Sequence, residues 1–206
     1  MPAPVDNQKL RLAAVIVLVL LAAVLLTQTY HKAYRAQGYD FTSYLLSAEA
    51  LLHSDNPYET DTAFPYVYPL FPAFVLIPLT LLPYWLSNLI WFALNAAAFV
   101  YAAVASMKLT SPEEVDGGPN HQLLPIALLS VLLFPVVQNH FLNGQINFIV
   151  LALCVIFLKS HLESRVLVPA VALGAAIAVK LVPVVLVAFL VMRRSFKAAL
   201  LSVLAA

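Results

Sequence analysis

Long stretches almost free of charge decide what this chain can become. No Asp, Glu, Lys or Arg occurs from Thr62 to Met107 or from His121 to Leu158, and between Val166 and Met192 the sole charge is Lys180. A charge at mid-bilayer is costly, so stretches of this kind read as helices in lipid. The chain is 63% hydrophobic and 10% charged, with a mean hydropathy of +0.91. A soluble domain carries about 25% charged residues. With 11 Lys+Arg against 10 Asp+Glu there is no basic field for nucleic acid. The single cysteine, Cys154, excludes an intrachain disulfide and a zinc cluster. The fold class is therefore an all-α polytopic membrane protein.

A spanning helix needs about 20 mostly apolar residues. That length rule predicts spans at 10–30, 84–107, 122–138 and 145–158. The stretch 166–192 is long for one upright helix and is broken at Lys180-Leu181-Val182-Pro183, so it reads as a hairpin of two short helices, 166–179 and 181–192. A further span begins near residue 196 and stops inside itself, so 1–206 reads as one transmembrane domain, apparently truncated. The first span has Lys9 and Arg11 before its apolar core but no small-x-small site after it, and reads as an uncleaved helix rather than a secretory signal.

The segment 69–83 carries Pro69, Pro72, Pro78 and Pro83 and is short, so it is expected to lie in the interface. With a cytoplasmic N-terminus, Lys9, Arg11, Lys108, Lys159, Arg165, Arg193, Arg194 and Lys197 then lie inside, and Lys32, Arg35 and Lys180 outside. This bias has the expected direction. A crossing segment with the N-terminus outside scores equally, so the short, proline-broken length decides the reading.

The outer loop, 31–68, carries half of the acidic residues: Asp40, Glu49, Asp55, Glu59 and Asp61. Within it Phe41, Tyr44, Leu45, Ala48, Leu51 and Leu52 recur at helical spacing opposite Thr42, Ser43, Ser47 and Glu49, which predicts an amphipathic helix at the bilayer surface. Asp40 stands just before it, either as an N-cap or as a carboxylate that accepts a proton from an incoming hydroxyl. Glu59 and Asp61 read as solvated loop residues, and no metal site is expected.

Two further places break the apolar pattern. The turn His140-Phe141-Leu142-Asn143-Gly144-Gln145-Ile146-Asn147 is rich in amides. Amides at a helix start can cap it, or can hydrogen-bond sugar hydroxyls and phosphate oxygens. His140 is open between interface residue and ligand. Lys180 either snorkels to the headgroups or meets an anionic partner, for which the phosphate of a lipid substrate is the candidate. Asp40, the His140–Asn147 turn and Lys180 all fall on the same, non-cytoplasmic side of this topology.

Tyr39-Asp40-Phe41 with Tyr44, Ala48 and Ala50, then Asn56-Pro57-Tyr58, resembles the first outer loop of the glycosyltransferase family 87 proteins. Tyr66-Val67-Tyr68-Pro69-Leu70, Pro78-Leu79, Leu82-Pro83, Trp91 and Asn95 resemble the segment that follows. Gly144-Gln145-Ile146-Asn147 resembles that family's Gly-Gln-x-Asn turn, and Gly174 through Lys180-Leu181-Val182-Pro183 to Arg193-Arg194 its Lys-x-x-Pro hairpin and basic end. Members of this family are about twice as long, so the resemblance covers an N-terminal half, and the isolated chain need not be active.

The resemblance implies a GT-C-like transmembrane helix bundle whose first outer loop carries amphipathic juxtamembrane helices. It implies an inverting, polyprenyl-phosphate-sugar-dependent glycosyltransferase, with mannose the first sugar to consider. Its partners would be the lipid-linked donor, a glycolipid or glycan acceptor and the bilayer, at the cell (inner) membrane with the active face outward. No cofactor is implied. Asp40 takes the place of the general base, while Lys180, His140, Gln145, Asn147 and Tyr58 are the expected substrate-binding residues. The competing reading is a non-catalytic polytopic protein: a transporter, flippase or assembly subunit. Against it stand the absence of an internal repeat and the gathering of polar groups on one side.

Overall fold

The computed structural model describes residues 12–13, 16–17, 19–21, 23–25, 27–28, 31, 40–62, 64–110 and 120–206, with the side chains of 120–131 left aside. The described positions between Leu12 and His31 are helical. The rest of the expected first span, together with Lys9, Arg11, Lys32, Arg35 and Tyr39, lies outside the described residues. The described fold is all helical: α1 (Asp40–Leu52), α2 (Leu70–Thr80), α3 (Tyr84–Thr110), α4 (Asn120–Asn143), α5 (Asn147–Leu162), α6 (Leu167–Val179), a 3-10 turn (Val182–Val184), α7 (Val185–Met192) and α8 (Phe196–Leu204).

Each break has a chemical reason. Pro83 starts α3, its carbonyl accepting from the N–H groups of Leu86 and Ser87. Gly144, at φ +61°, ends α4 in the left-handed region open to glycine. Lys180 leaves α6 in an extended conformation (φ −153°, ψ 130°), and Pro183 seeds the 3-10 turn that follows. Ser164 (φ 58°) and Arg194 (φ 57°) close the turns after α5 and α7.

Few of these helices reach spanning length, so the described residues do not form a clear polytopic bundle. Among the described residues, α3 alone is long and apolar enough to cross a bilayer by itself, and 132–143 with α5 pass the same test only as a pair bent by 116°. The Gly144-Gln145-Ile146 turn separates α4 from α5, as the polar His140–Asn147 stretch predicts. The remaining apolar helices, α2, α6 and the 3-10 turn with α7, are each shorter than a full span.

Two clusters of packed side chains organise the chain. The first joins α1 to α2, α3, α5 and α6 through Phe41, Tyr44, Ala48, Tyr66, Ala73, Trp91, Ile146 and Val179. The second, Phe157, Leu173, Ile177, Leu190, Ala198 and Ala199, joins α5, α6, α7 and α8. Small residues let backbones approach, as expected where lipid supplies no hydrophobic drive. A Cβ on Gly174 would come within 2.6 Å of the Ala205 methyl carbon. Large apolar side chains such as Leu132, Leu167, Val171 and Val185 stay exposed, a surface suited to lipid contact.

The amphipathic reading of α1 needs one correction. Ser43 and Ser47, placed on its polar face by spacing, are buried along with Phe41, Tyr44, Leu45 and Ala48. Ser47 donates to the Pro57 carbonyl at 2.8 Å, so the loop folds back and covers this face. Glu49 remains exposed.

Candidate functional site

Gly144 is the point on which the site turns. Its positive φ swings the chain out of α4, and the missing side chain lets α1 come down on the turn. A Cβ there would lie 2.7 Å from Cβ of Phe41. Above, Phe41 stacks on Trp91 (centroids 5.2 Å, planes 15° apart). The Trp91 indole N–H donates to the Gly144 carbonyl at 2.7 Å. Asp40, the residue before Phe41 and the first of α1, is thereby brought to Gln145, the residue after Gly144.

A directed chain of hydrogen bonds reaches Gln145 from Lys180. The Lys180 ammonium donates to Asn147 Oδ1 at 2.8 Å. Asn147 Nδ2 donates to Gln145 Oε1 at 3.0 Å. Gln145 in turn stands against the Asp40 carboxyl, near enough to draw its pKa down. An ammonium only donates, so Lys180 fixes which way Asn147 points and, through it, which way Gln145 points. Neither amide caps α5, whose start has no side-chain cap. Burial holds the Asp40 carboxyl above the usual carboxylate range, while the Gln145 amide and the Lys180 charge pull it back down.

Aromatic rings frame this chain. The Lys180 ammonium lies 5.5 Å from the centroid of the Tyr68 ring, within range of a cation–π attraction. Tyr68 meets buried Tyr44 edge-on at 5.2 Å. Tyr58, half-exposed, donates through its hydroxyl to the Tyr68 carbonyl at 3.2 Å and is set against the Tyr66 ring. It therefore holds the rim of the site rather than reaching the Asp40–Lys180 chain.

His140 is placed differently. It is 4% exposed, its Nε2 lies 3.1 Å from Asn95 Oδ1, and its ring packs on Phe148 with centroids 3.6 Å apart. Asn95 Nδ2 donates to the Trp91 carbonyl one turn back. The void lined by Trp91, Asn95, His140 and Gln145 measures about 10 Å³, room for little more than a water and none for a sugar. The structure thus gathers Asp40, Gln145, Asn147 and Lys180, sets Tyr58 at the rim and encloses His140 behind the turn.

The sequence reading assigned no part in the site to Tyr44, Tyr68, Trp91 or Asn95. Trp91 and Asn95 stand four apart on one face of α3, a usable signal. Tyr68 carries no such signal, because its nearness to Lys180 exists only in the fold. Among the described residues no three His, Cys, Asp or Glu side chains are grouped to hold a metal.

An apolar cavity of about 370 Å³ opens between α2, α3 and α5. Ile146 and Val179 line it, chain neighbours of Gln145, Asn147 and Lys180.

Residues 66–206 match glycosyltransferase family 87. The chain belongs to that family, whose members are membrane-associated glycosyltransferases. It is also similar to a polyprenol-phosphate-mannose-dependent alpha-(1-2)-phosphatidylinositol pentamannoside mannosyltransferase of Mycobacterium tuberculosis, at 30% identity over 200 residues covering 93% of this chain. The chain spans 44% of the length of that relative. No solved structure matches it.

Proposed function

We propose that this chain forms the donor and general-base half of a multi-pass mannosyltransferase that takes its sugar from a polyprenyl phosphate on the non-cytoplasmic face. The observation that carries the reading is the hydrogen-bonded chain from Lys180 through Asn147 to Gln145, with the Asp40 carboxyl set beside Gln145. It couples a carboxylate to a cation across two oriented amides.

The chemistry follows from the residue types. A sugar hydroxyl is a poor nucleophile, and Asp40 takes its proton as the new bond forms at the anomeric carbon. The bond from that carbon to the phosphate oxygen breaks on the opposite face, with inversion. Charge then gathers on the departing polyprenyl phosphate, where the Lys180 ammonium and the free donors of the amide turn stabilise it. Lys180 spends one donor on Asn147 and keeps two for phosphate oxygens. The apolar cavity beside Ile146 and Val179 suits an isoprenoid segment of the donor. Tyr68 and Tyr58 supply aromatic walls at the rim. The relative's named dependence on polyprenol-phosphate-mannose supports this donor.

The test is donor choice. Membranes carrying the gene's longest natural product are offered mannose on a polyprenyl phosphate or on a nucleotide, with release of carrier lipid blocked between pools. The expected result is transfer from the lipid-linked donor alone. Equal transfer from the nucleotide sugar, or from neither, contradicts the proposal and returns weight to a non-catalytic membrane subunit.

A further inference from the structure

At the end of the helices opposite the Asp40–Lys180 chain lies a second polar feature that the proposed reaction does not use. α5 carries the chain from Asn147 to Leu162, about 24 Å at 1.5 Å per residue. There the turn after α5 and the turn after α7 come together around a cavity of about 500 Å³. Arg165, Arg193, Arg194 and Lys197 line it, with His161 and Ser195.

The charge balance of this cavity is one-sided. Glu163 is the only carboxylate in either turn, and it is held by Arg165 at 3.0 Å. Arg193, Arg194 and Lys197 have no carboxylate partner among the described residues. Unpaired cations this close together repel, and an anion of matching size relieves that repulsion. Ser164 and Arg194, both in the left-handed region, sit in the two turns, and the four cations line one cavity between them.

Its surroundings select the source of the anion. Leu162 (61% exposed), Leu167 (70%), Met192 (83%) and Phe196 (62%) form an apolar skirt directly beside the cations. A soluble anion gains nothing from such a skirt. A phospholipid fits both parts, with its phosphate among the arginines and its acyl chains along the exposed helices. We propose that the cavity between the α5–α6 and α7–α8 turns binds the headgroup of an anionic phospholipid, at the bilayer surface opposite the Asp40 site.

The test uses the purified full chain, retained in a neutral detergent and titrated with phosphatidylglycerol or phosphatidylcholine under native mass spectrometry. Wild type is expected to retain phosphatidylglycerol in preference to phosphatidylcholine. Arg193→Gln with Arg194→Gln is expected to weaken that retention about thirtyfold, given about 1 kcal/mol for each of the two basic residues at an anionic membrane surface. Lys108→Gln with Lys159→Gln, which removes the same charge outside the cavity, is expected to leave it within about twofold of wild type. Arg193→Lys with Arg194→Lys, which keeps the charge, separates loss of the site from loss of fold and is expected to bind. Equal weakening in the two glutamine pairs, or no preference for phosphatidylglycerol in wild type, overturns the proposal. Displacement by glycerol 3-phosphate at equal concentration overturns its lipid part.

Discussion

The Lys180 charge acts on the Asp40 carboxyl across the amide turn, and in the proposed reaction that coupling has a pH signature. A general base works when deprotonated, so transfer falls as pH drops through the Asp40 pKa, which burial places above the ordinary carboxylate range. The Lys180 charge lowers that pKa. Lys180→Gln is therefore expected to move the acid limb of kcat/KM to higher pH, besides raising the donor KM. An unmoved limb contradicts the coupling, and an unchanged donor KM and kcat returns Lys180 to a headgroup-seeking lysine. Tyr68 gives a finer test. Tyr68→Phe keeps the ring beneath the ammonium and is expected to stay within about threefold of wild type, whereas Tyr68→Leu removes an attraction of about 1 kcal/mol and is expected to lose about fivefold or more. Equal losses in steady-state transfer would mean that the hydroxyl, not the ring, is what matters.

At the scale of elements, the turn between α4 and α5 locks α1 onto the bundle. Gly144→Ala meets both a strained positive φ, costing about 1 kcal/mol or more, and a Cβ placed 2.7 Å from that of Phe41. The expected outcome is release of α1, read as faster proteolysis of the 53–62 loop with α3 still inserted. Unchanged protection contradicts the docking described. Trp91→Phe keeps the stack on Phe41 but drops the bond to the Gly144 carbonyl, and is expected to cost about 1 kcal/mol in thermal or denaturant stability.

These elements also show how far the sequence could be read. Asp40, Gln145, Asn147 and Lys180 stood out as polar groups among apolar neighbours. Asn147 and Lys180 lie 33 residues apart, however, and nothing in their spacing discloses a bond. Spacing favoured caps for the amides because a helix start usually needs one, and here the ammonium outcompetes the backbone donors. Spacing left His140 open between interface residue and ligand, because its enclosure by Asn95 and Phe148 is a tertiary contact. Ser43 and Ser47 looked solvated because the return of the loop onto α1 through Pro57 is a tertiary contact.

For the whole molecule, two polar ends are separated by apolar helices, and the family places them at a membrane. The account expects those ends on opposite sides. In a Cys154→Ala background, Asp55→Cys in the loop after α1 is expected to react with an impermeant maleimide added outside intact cells. Ser164→Cys in the turn after α5 is expected to react only after the membrane is opened. Labelling of both from one side contradicts the topology.

The central claim is that Asp40 is the base of a lipid-linked sugar transfer. It is tested most directly by counting labelled mannose moved from polyprenyl phosphate to endogenous glycolipid in membranes holding equal amounts of wild type or Asp40→Asn in the gene's longest natural product. The account predicts transfer by the wild type and a loss of at least about a hundredfold in the variant. Equal transfer by the two would remove Asp40 from the mechanism.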